Sequence, residues 1–182
     1  GALTGEQVYL RRAAVDDAKV VHTWHASVDF MRYLSMGAPR FPVEQDFKSW
    51  FESEPKAHDG HPMIICLREG DQPIGICAYK DIFWQAQQCK FWMGIGETAL
   101  QGKGYGTDAL RVLLRYGFLE MNMQRIGLEV GEFNSGAIRA YEKAGFTREG
   151  TLRRFMFREG RFWDMHLMGI LREEWEAHFA PD

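Results

Sequence analysis

Three glycines, Gly102, Gly104 and Gly106, lie within five residues, directly ahead of an apolar stripe with helical spacing. The stripe comprises Ala109, Leu110, Leu113, Leu114 and Phe118. Its period predicts a helix over residues 107–121, and the apolar run over residues 89–95 predicts a strand before the loop. The glycines must therefore turn the chain from a strand into a helix while leaving backbone N–H groups unobstructed. Because a helix N-terminus favours anions, this arrangement indicates either a diphosphate-binding loop or only a tight structural connection.

The glycine loop does not fit the two common nucleotide-binding motifs. A Walker loop requires GxxxxGK followed by Ser or Thr, and a dinucleotide fingerprint requires GxGxxG after the first strand. Here the spacing is Q-x-x-G-x-G from Gln101 to Gly106, after about the fourth predicted strand. ATP binding would also require a Ser or Thr and an acid to hold Mg²⁺, and Thr107 is a weak substitute for them. The pattern thus argues against an ATP-binding domain.

Predicted strands and helices are distributed over the whole chain. Apolar or alternating runs predict strands over residues 8–12, 63–67, 73–79, 126–130, 147–157 and 162–171. Helical spacing predicts helices after Asp16 and Asp17, over residues 43–51, and over residues 135–144 ahead of Gly145. Residues 37–42 form a loop between the first two helices. With no internal repeat and no linker-like segment, the 182 residues are expected to form one domain, residues 1–182.

The charge and cysteine content argue against several classes of function. The chain has 22 Lys plus Arg against 25 Asp plus Glu, so it lacks the positive excess typical of nucleic-acid or anionic-membrane binding. No apolar run approaches the roughly 20 residues that span a bilayer, and the first residues lack the layout of a signal peptide. Cys66, Cys77 and Cys89 have no metal-ligand spacing and indicate reduced core thiols. We therefore expect a cytoplasmic protein without nucleic-acid or membrane partners.

The histidines do not predict a metal site. His22 and His25 are three residues apart, and His58 and His61 flank a glycine, without a supporting acid at a recognised spacing. Solvent-facing or helix-capping positions account for all four.

A second motif, N-x-x-A-x-x-x-Y-x-x-x-G-F, occupies residues 134–146. Its fixed positions are Asn134, Ala137, Tyr141, Gly145 and Phe146. Together with Gln101, Gly104 and Gly106, this motif resembles the two signatures of the GNAT acetyltransferase superfamily. The terminal hairpin, residues 149–171, is similar to that of the RimJ/RimL-type branch, so the resemblance covers nearly the whole chain. It implies an α/β fold with a mixed, mostly antiparallel central sheet of about seven strands flanked by helices.

The resemblance implies an enzyme that moves the acetyl group of acetyl-CoA to a primary amine. The cofactor-binding residues that it implies are Met93, Gly94, Ile95, Gln101, Gly102, Lys103, Gly104, Tyr105, Gly106, Thr107 and Asn134. In this family the glycine loop holds the pyrophosphate, the preceding strand pairs with the pantetheine arm, and Tyr141 would protonate the leaving thiolate. Gly94 and Gly96 suit a close backbone approach, or else mark a bulge, and Tyr141 has the alternative role of a core residue. Since no cysteine occupies a motif position, we expect direct attack in a ternary complex, with no acetyl-enzyme and no metal.

The general base and the amine are not fixed by the sequence. Glu97, Glu129 and Glu132 are candidates for the base, and each has the alternative role of a solvated or ion-paired surface acid. In this family residues from about 27 to 60 select the amine, which is a protein N-terminus, a polyamine or another small amine. Polyamine-type members carry acids after the first helix, where residues 34–39 of this chain are neutral, and this argues against a polyamine.

Aromatic residues leave two further questions open. One group lines a cleft for an apolar amine or else belongs to the core: Trp24, Phe30, Tyr33, Trp84 and Trp92. Another group on the terminal hairpin suggests a homodimer contact: Phe155, Phe157, Phe162 and Trp163. A non-catalytic sensor or scaffold that binds coenzyme A would share the cofactor motifs, although Tyr141 argues against it.

Overall fold

Seven strands form one sheet in the computed structural model, which describes residues 1–38 and 40–179. The strands are β1 (Val8–Arg12), β2 (Met63–Leu67), β3 (Pro73–Phe83), β4 (Gln88–Ile95), β5 (Arg125–Gly131), β6 (Thr147–Arg158) and β7 (Arg161–Leu171). They lie in the order β1-β2-β3-β4-β5-β7-β6, antiparallel except for the parallel pair β4 and β5. The predicted mixed, mostly antiparallel sheet is confirmed. Pro39, in the predicted loop, and residues 180–182, at the end of the predicted domain, lie outside the described residues.

Helices flank this sheet. They are α1 (Ala18–His25), α2 (Val28–Leu34), α3 (Glu44–Glu52), α4 (Tyr105–Leu119), α5 (Ser135–Lys143) and α6 (Arg172–Phe179). The sequence pattern predicts α1, α3, α4 and α5 but not α2 or α6, which have seven and eight residues. Each of these short helices is held by a few buried side chains, Phe30 and Met31 in α2 and Trp175 in α6. No helix among the described residues has the length and apolar character needed to cross a membrane.

Alternation along the strands divides the core between the two faces of the sheet. Ile65 of β2 belongs to the cluster that contains the buried stripe of α4, whereas its neighbours Ile64 and Cys66 belong to the cluster beneath α1, α2 and α3. The predicted α4 stripe is buried throughout. Cys66, Cys77 and Cys89 are buried and unpaired, as predicted for core thiols. The two clusters therefore fix helices on both sides of the central strands.

Strands β4 and β5 are joined along only part of their length. They pair from Gln88 to Lys90 against Arg125 to Gly127, and the pairing goes no further. Beyond that point β4 stays paired with β3 as far as Ile95, while β5 stays paired with β7 as far as Gly131. Each strand is thus held by its other neighbour, and a gap opens between their carboxyl ends.

Candidate active site

A cavity of about 710 Å³ lies in the gap between β4 and β5. Most of the predicted site residues line it: Met93, Gly94, Ile95, Gln101, Gly102, Gly104, Gly106, Thr107, Asn134 and Tyr141. Lys103 and Tyr105 do not belong to this lining. The side chain of Lys103 is exposed, and Tyr105 packs half-buried against the core. The two sequence motifs, about 30 residues apart in the chain, therefore meet at one cavity.

The glycine loop presents unused hydrogen-bond donors to this cavity. Gly102 and Gly104 have φ angles of +73° and +89°, and Gly104 is the N-cap of α4. Within the described part of the chain, the backbone N–H groups from Gly102 to Thr107 donate to no acceptor. Since a helix N-terminus carries a partial positive charge, this row of amides has the geometry and charge to hold an anion such as a diphosphate.

Gln101 connects the glycine loop to the end of β4. Its side-chain amide donates to the carbonyl of Ile95 over 2.9 Å. This hydrogen bond fixes the start of the loop against the strand that forms one wall of the cavity. The signature glutamine thus has a structural role in addition to its place in the lining.

The structure gives Gly94 and Gly96 a reason other than the one expected from the sequence. A Cβ atom on Gly94 would lie 3.0 Å from the Phe30 ring, and one on Gly96 would lie 2.2 Å from the Trp24 ring. A side chain at position 96, just after β4, would clash with Trp24 of α1, and one at position 94 would require Phe30 of α2 to shift. Close packing of aromatic side chains explains them without a ligand, although Gly94 also lines the cavity.

Tyr141 reaches the cavity from α5. Its ring lies edge-on to Phe91 and Phe146, with centroid distances of 6.1 and 5.7 Å. Burial raises the pKa of the Tyr141 hydroxyl to about 12, so the hydroxyl is protonated at neutral pH. Asn134 caps the same helix, and its side-chain oxygen accepts from the Ala137 N–H over 3.3 Å. A proton donor and an amide group thus face the same gap from one helix.

Only one of the three candidate bases lines the cavity. Glu97 accepts a hydrogen bond from the Trp24 indole over 2.9 Å, and Glu132 accepts one from the Asp164 N–H over 3.1 Å. Glu129 lines the cavity and lies 3.1 Å from the Lys80 ammonium and 2.7 Å from the Lys90 ammonium. Burial raises the pKa of Glu129, but the hydrogen bonds from the two lysines outweigh burial and hold that pKa below its usual value. Glu129 is therefore a stable carboxylate and a weak proton acceptor.

The expectation of a solvent-facing or capping histidine is wrong for His25. Its side chain is buried, with 8% of the residue exposed, and its Nδ1 lies 2.8 Å from the Val21 carbonyl oxygen. A carbonyl can only accept, so Nδ1 carries the proton, and burial lowers the pKa of the ring and keeps it neutral. The signal in the sequence is the spacing, since His25 follows Val21 by one helical turn on the apolar face of α1.

A second cavity, of about 360 Å³, adjoins the first. Its lining comprises His25, Met31, Leu34, Ser35, Met36, Trp50, Lys80, Phe91, Trp92 and Glu129. Of the aromatic residues proposed for a cleft, Phe30, Tyr33 and Trp92 line one or both cavities. Trp24 is instead buried beneath Gly96, and Trp84 is 61% exposed and lines neither cavity. Sequence reasoning did not single out Trp50, which lies within the helix predicted over residues 43–51.

Metal-binding side chains do not cluster in the structure. Among the described residues, no group of three or more His, Cys, Asp or Glu side chains has an arrangement that would hold a metal ion.

Comparison with known proteins gives a family match. The family model described as Acetyltransferase (GNAT) domain matches residues 7–147. The chain is 27% identical to the uncharacterized N-acetyltransferase YnaD of Bacillus subtilis, covering 95% of this chain and 98% of that protein. It is 26% identical to a spermidine N(1)-acetyltransferase of Vibrio cholerae, covering 93% of this chain and 95% of that protein.

Solved structures show the same fold. The crystal structure of spermidine N-acetyltransferase from Vibrio cholerae, in complex with CoA and spermine, matches with a TM-score of 0.84. The match covers 93% of this chain and 98% of that one at 24% sequence identity. An acetyltransferase of the GNAT family from Bacillus anthracis matches with a TM-score of 0.79 at 23% identity, covering 94% of this chain and 98% of that one.

Proposed function

Because this chain belongs to the GNAT acetyltransferase family and is an acetyl-CoA-dependent N-acetyltransferase, we propose that it acetylates a primary amine by direct attack in a ternary complex. The observation that carries this proposal is the row of unpartnered amides from Gly102 to Thr107, which opens on the same cavity as Tyr141. A non-catalytic module that binds coenzyme A would need the amides but would have no use for a protonated tyrosine at the cavity.

The residues of the cavity fit the co-substrate. The amides of the glycine loop and the N-terminus of α4 would hold its diphosphate, with the surface charge of Lys103 nearby. Beyond Lys90, β4 has no strand partner on the β5 side among the described residues. The backbone groups of Met93 and Ile95 point to that side, whereas those of Gly94 point to β3, so Met93, Ile95 and the Asn134 side chain are available for the pantetheine arm, with Gly94 beside them in the lining. When bound, acetyl-CoA supplies an activated acetyl thioester.

The reaction balances without a metal or a covalent enzyme intermediate. The amine nitrogen forms a bond to the acetyl carbon, the carbon–sulfur bond breaks, and the amine releases one proton to solvent. Tyr141 donates its proton to the departing sulfur and recovers one from solvent. Because a thiolate has a reference pKa of about 8.5, this protonation assists the reaction but is not obligatory. Backbone N–H groups of β4 that face the gap would stabilise the developing oxyanion.

Two measurements on the same sample test the proposed function. We expect calorimetry to give micromolar-class binding of acetyl-CoA, and amines from a panel to release free thiol above the rate without amine. After turnover, mass spectrometry should find no acetyl group on Cys66, Cys77 or Cys89. Binding without thiol release for any amine would support the sensor alternative, and an acetylated cysteine formed during turnover would refute direct transfer.

Removal of the Tyr141 hydroxyl should slow the chemistry without weakening cofactor binding. For Tyr141→Phe we expect kcat to fall on the order of 10–100-fold, below the full range for acid catalysis because the leaving thiolate is weakly basic. The Kd for acetyl-CoA should stay within about twofold, since the Tyr141 hydroxyl has no hydrogen-bond partner among the described residues and its removal leaves the amides of the glycine loop in place. Because the pKa of Tyr141 is about 12, the wild-type rate should rise between pH 7 and pH 10 as the amine deprotonates, with no descending limb.

Tyr116→Phe is the matched control for this substitution. Tyr116 of α4 stacks on Tyr79 of β3 and lines neither cavity. The Tyr116→Phe variant should have the same kcat as the wild type. If Tyr141→Phe has the same kcat as this control, Tyr141 is a packing residue and the general-acid role is wrong.

Several finer assignments remain part of the proposal. We propose that residues 1–182 form a single GNAT domain, that the chain belongs to the RimJ/RimL-like branch, and that it acts in the cytoplasm without nucleic-acid or membrane partners. Phe155, Phe157 and Phe162 each expose about half of their surface, at 49%, 56% and 52%, which supports the proposed homodimer contact.

A further inference from the structure

The second cavity opens into the first at the point where β4 and β5 separate. Residues common to both linings are Leu34, Ser35, Met36, Phe91, Trp92 and Glu129. Phe91 and Trp92 directly follow Lys90, the last residue of β4 that pairs with β5. The ring of Phe91 also contacts Tyr141. A small molecule in the second cavity therefore has access to the position where the acetyl group is expected to react.

The walls of the second cavity are mainly apolar and aromatic. Trp50 of α3 stacks on Trp92 of β4, with 6.1 Å between centroids and an interplanar angle of 24°. Met31 and the neutral ring of His25 complete this side, and Phe47 packs against His25 at 4.7 Å. Flat aromatic surfaces of this kind bind an aromatic or apolar group. The volume of about 360 Å³ is that of a site for a small ligand.

The charges at the second cavity are already balanced. Glu129 contacts both Lys80 and Lys90, and Lys90 also lies 3.4 Å from Asp81, so two lysines face two carboxylates. Lys80 and Glu129 are the charged members of the lining, since His25 is neutral. The other acid that lines the first cavity, Asp29, is exposed on α2. Among the described residues of the second cavity there is thus no spare carboxylate for an additional ammonium group.

We propose that the second cavity is the acceptor site and that it selects an arylalkylamine, a primary amine with one aromatic substituent, over a polyamine; this rests on the acetyltransferase function proposed above. The aromatic substituent lies against Trp50 and Trp92, and the amine lies towards Glu129. The apolar walls favour the neutral form of the amine, which is the nucleophilic form. Because Glu129 is already compensated by Lys80 and Lys90, the cavity offers no free negative charge to the second ammonium group that every polyamine carries at neutral pH.

The first experiment compares 2-phenylethylamine with spermidine as acceptors for the full-length enzyme. We expect kcat/KM, measured by thiol release at saturating acetyl-CoA, to be at least about tenfold higher for 2-phenylethylamine, because an additional ammonium group loses hydration in this cavity without gaining a free carboxylate. An equal or higher value for spermidine would overturn the inference. So would a lack of thiol release with 2-phenylethylamine when calorimetry shows that acetyl-CoA binds.

Variants of the cavity wall connect the preference to its residues. Trp50→Ala should lower kcat/KM for 2-phenylethylamine on the order of tenfold and weaken its calorimetric Kd in the presence of CoA by a similar factor. Trp84→Ala removes an exposed tryptophan that lines neither cavity and should leave both values unchanged. Lys80→Gln should raise kcat/KM for spermidine relative to 2-phenylethylamine, by roughly threefold or more.

Calorimetry of acetyl-CoA with each variant distinguishes a defect in the acceptor site from a failure of the proposed acetyltransferase function. An unchanged Kd for acetyl-CoA in Trp50→Ala shows that the variant is folded and that its defect lies in the acceptor site. If Trp50→Ala and Trp84→Ala have the same effect on 2-phenylethylamine, the second cavity is not the acceptor site. If the wild type binds no acetyl-CoA, the proposed function itself fails, and the inference fails with it.

Discussion

Gly104→Glu is expected to weaken acetyl-CoA binding by at least about a hundredfold, which corresponds to about 2.7 kcal/mol. Gly104 caps α4 with a φ of +89°, where any other residue costs about 1–2 kcal/mol. No atom lies within 4 Å of its Cβ position, so the new side chain extends freely beside the amides of the loop. Its carboxylate repels the diphosphate and competes for donors that each contribute about 1.5–3 kcal/mol to a charged acceptor. Calorimetry with acetyl-CoA measures the loss directly.

Gly70→Glu is the matched control for this substitution. Gly70 lies in the turn between β2 and β3, has a φ of +82°, and also has no atom within 4 Å of its Cβ position. The control introduces the same charge and the same backbone strain, away from the cavity. It should bind acetyl-CoA like the wild type, with a similar fall in Tm to that of Gly104→Glu. Equal binding by both variants would contradict an anion site at the glycine loop.

The sequence predicts those parts of the candidate site whose residues lie close together in the chain. The glycines at 102, 104 and 106 and the stripe of α4 lie within 17 residues, so their spacing alone predicts a loop followed by a helix. Asn134 and Tyr141 share one helix, and their separation is fixed by its geometry. The resemblance to the GNAT family then implied a role for each motif: diphosphate binding for the glycine loop and proton donation for Tyr141.

The parts that the sequence does not predict depend on contacts between distant segments. Trp50 and Trp92 are stacked although they are 42 positions apart, and no local pattern distinguishes this contact from ordinary core packing. The burial of His25 is equally hard to predict, because it results from contacts with Phe30 and Phe47 on two other helices. The helix α2 has only seven residues, and isolated helices of that length are unstable without tertiary contacts.

The gap that forms the site results from the order of the strands. Strand β7 lies between β5 and β6 and pairs with β5 from Arg125 to Gly131, so the carboxyl end of β5 is held in the sheet without contact to β4. Residues at the carboxyl ends of β4 and β5 retain unpaired backbone groups, which would be costly if buried without a partner. A ligand with amide groups along its length, as the pantetheine arm has, is therefore complementary to the gap. This order cannot be read from the strands individually, because each appears in the sequence as an ordinary apolar run.

Asp108 joins the beginning of the chain to the helix that follows the glycine loop. It lies in the first turn of α4, is 4% exposed, and accepts hydrogen bonds from three successive backbone N–H groups. The donors are Glu6 at 3.1 Å, Gln7 at 2.7 Å and Val8 at 2.9 Å. A Cβ atom on Gly5 would lie 2.5 Å from the carboxylate, so the backbone approaches it as closely as only glycine permits. This one side chain therefore holds the start of β1 against α4.

Asp108→Ala is expected to lower the free energy of unfolding by about 3–4 kcal/mol. Three N–H groups lose their acceptor, and each costs about 1–3 kcal/mol when it is buried, less where water can reach it. For a chain of this length the loss corresponds to a fall in Tm of about 10 °C, measured by thermal unfolding. The Tm of Asp108→Asn should lie between those of the wild type and Asp108→Ala, because the amide keeps one acceptor oxygen but turns a donor towards the other N–H groups.

Asp46→Ala is the control for the loss of a carboxylate that accepts from the backbone. The Asp46 carboxylate accepts from the Val43 N–H over 2.8 Å at the exposed start of α3, and its removal should cost about 1 kcal/mol, as for a helix cap. If Asp108→Ala lowers Tm no more than Asp46→Ala does, the buried connection between β1 and α4 contributes no more than an exposed cap. At a temperature well below both midpoints, acetyl-CoA should bind to Asp108→Ala within a few-fold of the wild type, because the Asp108 carboxylate accepts from Glu6, Gln7 and Val8 and not from the amides of residues 102–107. The two readouts together distinguish a residue that stabilises the scaffold of the site from one that binds the ligand.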